Sequence, residues 1–172
     1  QKYIYNLITS SKYYFLSRPR RFGKSLLIST LEQIFKGNKK LFEGLYIYNT
    51  DYDWKDYCVL RIDLNEVSHQ TSEILSLALS EYLFKKAKEF EVEISGIGLK
   101  EKLIYLVENI YKKYKKEVVI LIDEYDKPII THLGRGDDHL QIAIDNRSIL
   151  KEFYGTLKSA SVIERLRFVL LT

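Results

Sequence analysis

Tyr13-Tyr14-Phe15-Leu16-Ser17-Arg18-Pro19-Arg20-Arg21-Phe22-Gly23-Lys24-Ser25 is the stretch on which the reading of this chain turns. An apolar, strand-like run leads into a basic loop, and the loop closes on glycine, lysine and a hydroxyl. A nucleotide phosphate loop needs those three groups in that order: backbone that comes close to a phosphate, an amine that reaches the outer phosphates, and a hydroxyl that ligates magnesium. The strict pattern G-x-x-x-x-G-K-[ST] also asks for a glycine five residues before the second one, and Arg18 stands there instead. Gly-Lys-Ser alone is a common tripeptide, so the flanks decide. Downstream, Leu26, Leu27, Leu31, Ile34 and Phe35 recur at helical spacing, and Gly37-Asn38 gives a stop signal. The spacing predicts a helix from Lys24 to about Phe35, so strand, loop and helix follow in the required order.

A second stretch fits the first. Val118-Val119-Ile120-Leu121-Ile122 is a continuous aliphatic run ending in Asp123-Glu124, the pattern of a strand buried on both faces of a parallel sheet. Ligands of open α/β sheets sit outside the carboxyl ends of the strands. Asp123 is therefore expected beside the phosphates, holding magnesium directly or through water, and Glu124 is expected to face an attacking water as general base. Without the loop, two solvated acids stopping a strand would explain the same residues.

The remaining pattern alternates. Tyr3 to Ile8 reads as a short amphipathic lead-in, Tyr13 to Leu16 as a first strand, Cys58 to Leu64 as a second, and Leu41 to Lys55 as an irregular aromatic excursion with a turn at Asn49-Thr50-Asp51. Leu75, Leu79, Tyr82 and Leu83 share one helical face. Leu99, Leu103, Leu106, Val107, Ile110 and Tyr114 share another, with Ser95-Gly96-Ile97-Gly98 between the two helices. A helix is expected from about Leu140 to Ser159, then a final strand over Arg167 to Thr172. Right-handed crossovers would set these helices on both faces of a mostly parallel sheet.

Composition excludes more than it assigns. The 172 residues fit one domain, and the formal charge of +4 is compatible with an anionic ligand without demanding nucleic acid. Four cations, Arg18, Arg20, Arg21 and Lys24, crowd the loop, whereas the lysine pairs at 85/86, 112/113 and 115/116 belong on solvated helical faces. No apolar stretch reaches bilayer length and no leader pattern opens the chain, which makes the cytoplasm the expected compartment. Cys58 stands alone and reads as a buried thiol rather than a nucleophile. His69, His132 and His139 have no ligand-like spacing, so a metal site made of protein ligands is not expected.

Taken together, the motifs Arg18 to Ser25 followed by Leu26, and Asp123-Glu124-Tyr125-Asp126-Lys127-Pro128-Ile129, resemble those of the AAA-ATPase-like family of bacterial proteins, with its RPRRFGKS-type loop and its strand ending DEYDKPI. The resemblance covers nearly the whole chain, and Arg18 in the first glycine's place is the family's own variation. It implies an α/β P-loop NTPase, a three-layer sandwich with a mostly parallel sheet of the additional-strand type. In such a sheet a strand lies between the loop strand and the acidic strand, and Leu166 to Thr172 resembles the start of the family's next core strand. It further implies one domain over residues 1–172, the amino-terminal part of a longer protein, truncated at its carboxy end before a sensor residue, further helices and often a nuclease-like domain of the PD-(D/E)XK type.

The resemblance also implies ATP and Mg2+ as cofactors. Arg20, Arg21, Phe22, Gly23, Lys24, Ser25 and Leu26 would form the nucleotide-binding stretch, Ser25 and Asp123 would be the metal ligands, and Glu124 and Lys24 the catalytic pair. Which acid does which rests on the family pattern. Arg20 and Arg21 remain open between phosphate contact, ion pairing with a carboxylate such as Asp126, and reaching a partner. Asp126 would accept backbone hydrogen bonds, Pro128 would end the strand pattern, and Asp63 would cap the loop after the second strand. Arg147 and Arg165 qualify as arginine fingers by residue type only. The function so read is an ATP-binding module whose Mg-dependent hydrolysis drives change in an attached domain or partner. A non-hydrolysing nucleotide switch or scaffold and a small-molecule kinase are the alternatives. This segment carries no nucleic-acid-reading element.

Overall fold

A computed structural model describes residues 2–16 and 23–172, and in it the chain is α/β with two compact units. The first unit draws on Gln1–Ile62, Lys116–Asp123 and Leu166–Thr172, the second on Asp63–Lys115 and Glu124–Arg165.

The first unit holds the sheet. Its strands are β1 (Tyr13–Phe15), β2 (Cys58–Asp63), β3 (Val118–Asp123) and β4 (Leu166–Leu171), in the order β1-β4-β3-β2. β4 runs parallel to both neighbours, with Tyr13 opposite Val169 on one side and Ile120 opposite Val169 on the other. The last strand in sequence thus lies between the loop strand and the acidic strand and is the inserted strand of the kind the resemblance implies. All six residues of β3 are buried, the outcome its unbroken apolar run predicts.

Two helices, α1 (Lys2–Ser10) and α2 (Lys24–Phe35), complete this core. Ile28, Leu31, Ile34 and Phe35 line one stripe of α2 and pack with Val119, Leu121, Phe168, Leu170 and Leu7. Each such side chain, fully buried, contributes about 1.5–3 kcal/mol relative to exposure. The lead-in read at Tyr3 to Ile8 is α1, and the irregular excursion resolves into two 3-10 turns, Lys39–Phe42 and Tyr46–Asn49, pinned by buried Phe42 and Ile47.

Helix α2 ends as its sequence requires. Gly37 lies in the left-handed region at φ 76°, its amide donates to Ile34 O at 3.0 Å, and Asn38 N donates to Gln33 O at 3.1 Å. This pair of bonds is the Schellman closure.

The second unit is helical: α3 (Ser72–Glu89), α4 (Leu99–Tyr114), α5 (Lys127–Ile130), α6 (Asp137–Gly155) and α7 (Ala160–Ile163). Thr71 caps α3 by accepting from Ile74 N. The predicted faces are buried at Leu75, Leu79, Tyr82 and Leu83 and at Leu103, Leu106, Val107 and Ile110, but Tyr114, at the end of its stripe, is exposed. Two expectations need correction. The helix read from about Leu140 to Ser159 is α6, which stops at Gly155; a 3-10 turn (Thr156–Lys158) and the extended Ser159 (ψ 151°) separate it from α7. Pro128 does not end a strand pattern. It opens α5, where a missing amide costs nothing because first-turn amides have no helical acceptor.

Gly37→Ala is expected to destabilise the protein by about 1–3 kcal/mol, since it combines left-handed strain with a Cβ that would stand 2.9 Å from Trp54 O. Gly44→Ala, at φ +81° with open space around the added carbon, should cost less. Urea unfolding midpoints of the two variants check the difference in order.

Candidate nucleotide site

Because the strands are parallel, β1 and β3 deliver their carboxyl ends to one edge of the sheet. From the β1 side the chain re-emerges at Gly23, whose φ of 72° is a conformation that glycine adopts without strain. α2 then starts at Lys24, its first intrahelical bond running from Leu27 N to Gly23 O at 2.9 Å, with no side chain capping its amino end. The first-turn amides therefore have no helical acceptors, which gives them and the helix dipole to an anion. Gly23, Ser25 and Leu26 are exposed and Lys24 is half-buried. Arg18, Pro19, Arg20, Arg21 and Phe22 lie outside the described residues.

From the β3 side comes Asp123, only 4 % exposed, at the strand's last position. Ser25 and Asp123 carry hard oxygen atoms of the kind that magnesium takes, one hydroxyl and one carboxylate. That donor set fits the metal the sequence implies. Among the described residues no group of three or more His, Cys, Asp or Glu is arranged to hold a metal ion.

Glu124 follows, and its backbone is unusual: φ is 56°, left-handed for a β-branch-free but non-glycine residue. Such a conformation costs roughly 1–2 kcal/mol and persists only where surroundings impose it, as at functional turns. Its carbonyl accepts from Lys127 N at 3.1 Å, so the chain turns at once into α5. Asp126 caps this helix by position but its carboxylate makes no cap bond; its backbone carbonyl accepts from Ile129 N and Ile130 N instead, which corrects the role expected of its side chain.

Beside the start of α2 lies a feature the sequence did not announce, an apolar cleft of about 530 Å³ lined by Tyr3, Ile4, Leu26, Leu27, Thr30 and Leu41, with Gly23 at its rim. Thr30 offers little polarity there, since its hydroxyl already donates to Leu26 O at 2.7 Å. Leu26 at 72 % and Leu41 at 65 % are exposed apolar residues at the cleft.

Other readings resolve simply. Asp63 caps the turn after β2 by accepting from Asn65 N at 2.9 Å, as expected. Cys58 is buried and burial pushes its thiol pKa up, away from nucleophilic use. Arg165 donates to Ser161 O at 2.7 Å and lies 5.8 Å over the Tyr111 ring, both within the second unit. Arg147 is exposed on α6. The three histidines, unrelated by spacing, meet in one hydrogen-bonded cluster.

Comparison with known proteins gives the family. The family described as Predicted AAA-ATPase matches residues 1–172. A curated relative from Azotobacter chroococcum mcd 1, "Uncharacterized protein in vnfD 5'region", is 33 % identical over 167 residues, which are 96 % of this chain and 31 % of the relative. The chain thus spans about a third of the length of that relative. No solved structure matches. The chain belongs to the AAA-ATPase-like family of predicted AAA-ATPases.

Proposed function

We propose that this chain is the nucleotide-hydrolysing module of a longer protein, binding ATP with Mg2+ and using its hydrolysis to change the conformation of an attached domain or partner. One observation carries the reading: the uncapped start of α2 at Gly23-Lys24-Ser25 and the buried carboxylate of Asp123 share the carboxyl edge of one sheet. The amides of Gly23, Lys24 and Ser25 cradle phosphate oxygens, and Lys24 neutralises the outer phosphates as a point charge. Ser25 and Asp123 would hold magnesium, which when bound would offset charge that develops on the phosphate oxygens. Glu124 accepts a proton from the attacking water. The water oxygen bonds to the γ-phosphorus as the bond to the β–γ bridging oxygen breaks, releasing ADP and inorganic phosphate.

Adenosine lies along the cleft beside α2, between Leu26, Leu27 and Thr30 on one side and Tyr3 and Leu41 on the other. Apolar contact of this kind favours any nucleoside over bare phosphate. The setting we propose is the cytoplasm; among the described residues no helix is long and apolar enough to cross a membrane.

Glu124→Gln should leave ATP affinity within a few fold and slow turnover by about 100-fold or more, measured as phosphate release; unchanged turnover removes Glu124 as the base. Thr30→Phe, which fills the cleft, should weaken ATP binding by about tenfold while leaving inorganic tripolyphosphate unaffected. Competition titrations distinguish the two ligands, and equal loss for both would place the nucleoside elsewhere.

A further inference from the structure

We propose that a buried side-chain clamp, built by His132 and Asn146 on the carbonyl of His69, positions Glu124, an inference that rests on the reading of Glu124 as the base. The clamp lies wholly within the second unit. Backbone bonds make residues 124 to 132 one stiff piece: Lys127 N to Glu124 O at 3.1 Å, Ile129 N to Asp126 O at 2.9 Å, and His132 N to Ile129 O at 3.1 Å. Side chains then fix that piece at intervals. Tyr154 OH donates to Tyr125 O at 2.6 Å, Lys127 Nζ to Asn65 Oδ1, Asn146 Nδ2 to Pro128 O at 2.8 Å, and His132 Nε2 to His69 O at 2.8 Å. Glu124, with its left-handed backbone, is the first residue of the piece so fixed.

Asn146 is fully buried, and its Nδ2 also reaches His69 O at 3.2 Å. Both acceptors are carbonyls, so the amide must present its NH2 to them, and its two hydrogens join the segment after α5's start to the loop before α3. Its Oδ1 makes no hydrogen bond, so this residue is present for its donors. His132, 4 % exposed, faces the same carbonyl, which only accepts; Nε2 therefore carries hydrogen whether the ring is neutral or charged.

The remaining ring nitrogens make the clamp sensitive to protons. His132 Nδ1 is 3.0 Å from His139 Nδ1, room for one shared proton, and His132 Nε2 is 3.3 Å from His69 Nδ1, which must stay bare to face an N–H. Burial chiefly, then the neighbouring His132 and Lys127, holds the His69 pKa below its ordinary value. A His with a lowered folded pKa stabilises the fold above its unfolded pKa of about 6.5, and that contribution is lost as pH falls below it. When His69 takes its proton, N–H opposes N–H and the clamp on His132 opens.

The test is steady-state ATP hydrolysis by the full-length protein from pH 5.5 to 8.5. His132→Ala should lower kcat about tenfold with KM for ATP unchanged, and His132→Gln, whose amide can donate from the Nε2 position, should restore most of it. His69→Gln keeps the backbone carbonyl and removes the titrating ring, so it should retain most of kcat at pH 7.5 and shift the acid fall of kcat to lower pH. A folded His132→Ala protein with unchanged kcat, a proportional change in kcat and KM, or a His69→Gln profile identical to the parent's would each overturn the clamp while leaving the ATPase reading intact. Absence of ATP hydrolysis by the parent protein would overturn both.

Discussion

Everything in the proposed site depends on one pairing, the insertion of β4 between β1 and β3. β1 is only three residues long, and β4 is its ladder partner: Val169 N donates to Lys12 O at 2.7 Å and Leu16 N to Leu171 O at 2.8 Å. On its other edge β4 holds β3 over five residue pairs, from Val118 with Leu166 to Ile122 with Leu171. The strand also carries Phe168 and Leu170 into the core beneath α2, and its Arg167 donates to Ile8 O at 2.9 Å and so ties α1 to the sheet. Because β4 is parallel to both neighbours, the segment after β1 and the acid that ends β3 emerge on one edge. Magnesium chemistry between a loop hydroxyl and a strand-end carboxylate requires that arrangement.

Local order is handled differently on the two sides of that edge. At Gly23 the left-handed backbone is adopted by the one residue that does so without strain, leaving the first-turn amides of α2 to a ligand. At Glu124 the same region of backbone space is occupied by a side chain that chemistry would require, so the cost has to be met by neighbours. The second unit provides them as a set of buried donors on carbonyls, an arrangement in which removing one partner strands another and each loss is therefore expensive.

The parts legible in the sequence were those with a strong local period or a sharp local stop. Both ends of α2 follow from its apolar stripe and Gly37, and β3 from an unbroken aliphatic run ended by acids. The place of β4 in the sheet was not readable from its residues, since any buried strand shows the same pattern; the family likeness implied an inserted strand without saying which one. Pro128 misled because proline both ends strands and opens helices, and a four-residue helix is too short to show a period. The break at Ser159 was hidden by apolar residues that continue in helical register beyond it. The clamp had no sequence signal at all: His69, His132 and Asn146 lie on three separate segments, and only tertiary packing brings them to one carbonyl.

The central claim is that the sheet edge bearing Gly23, Lys24 and Ser25 holds the phosphates of a nucleotide. Calorimetric titration of Mg-ATP into the protein and into its Lys24→Ala variant tests it most directly. Saturable binding by the parent, reduced by at least about tenfold in a variant that unfolds at the same temperature, is the result this account predicts. Equal binding by both proteins, or none by a folded parent, would contradict it.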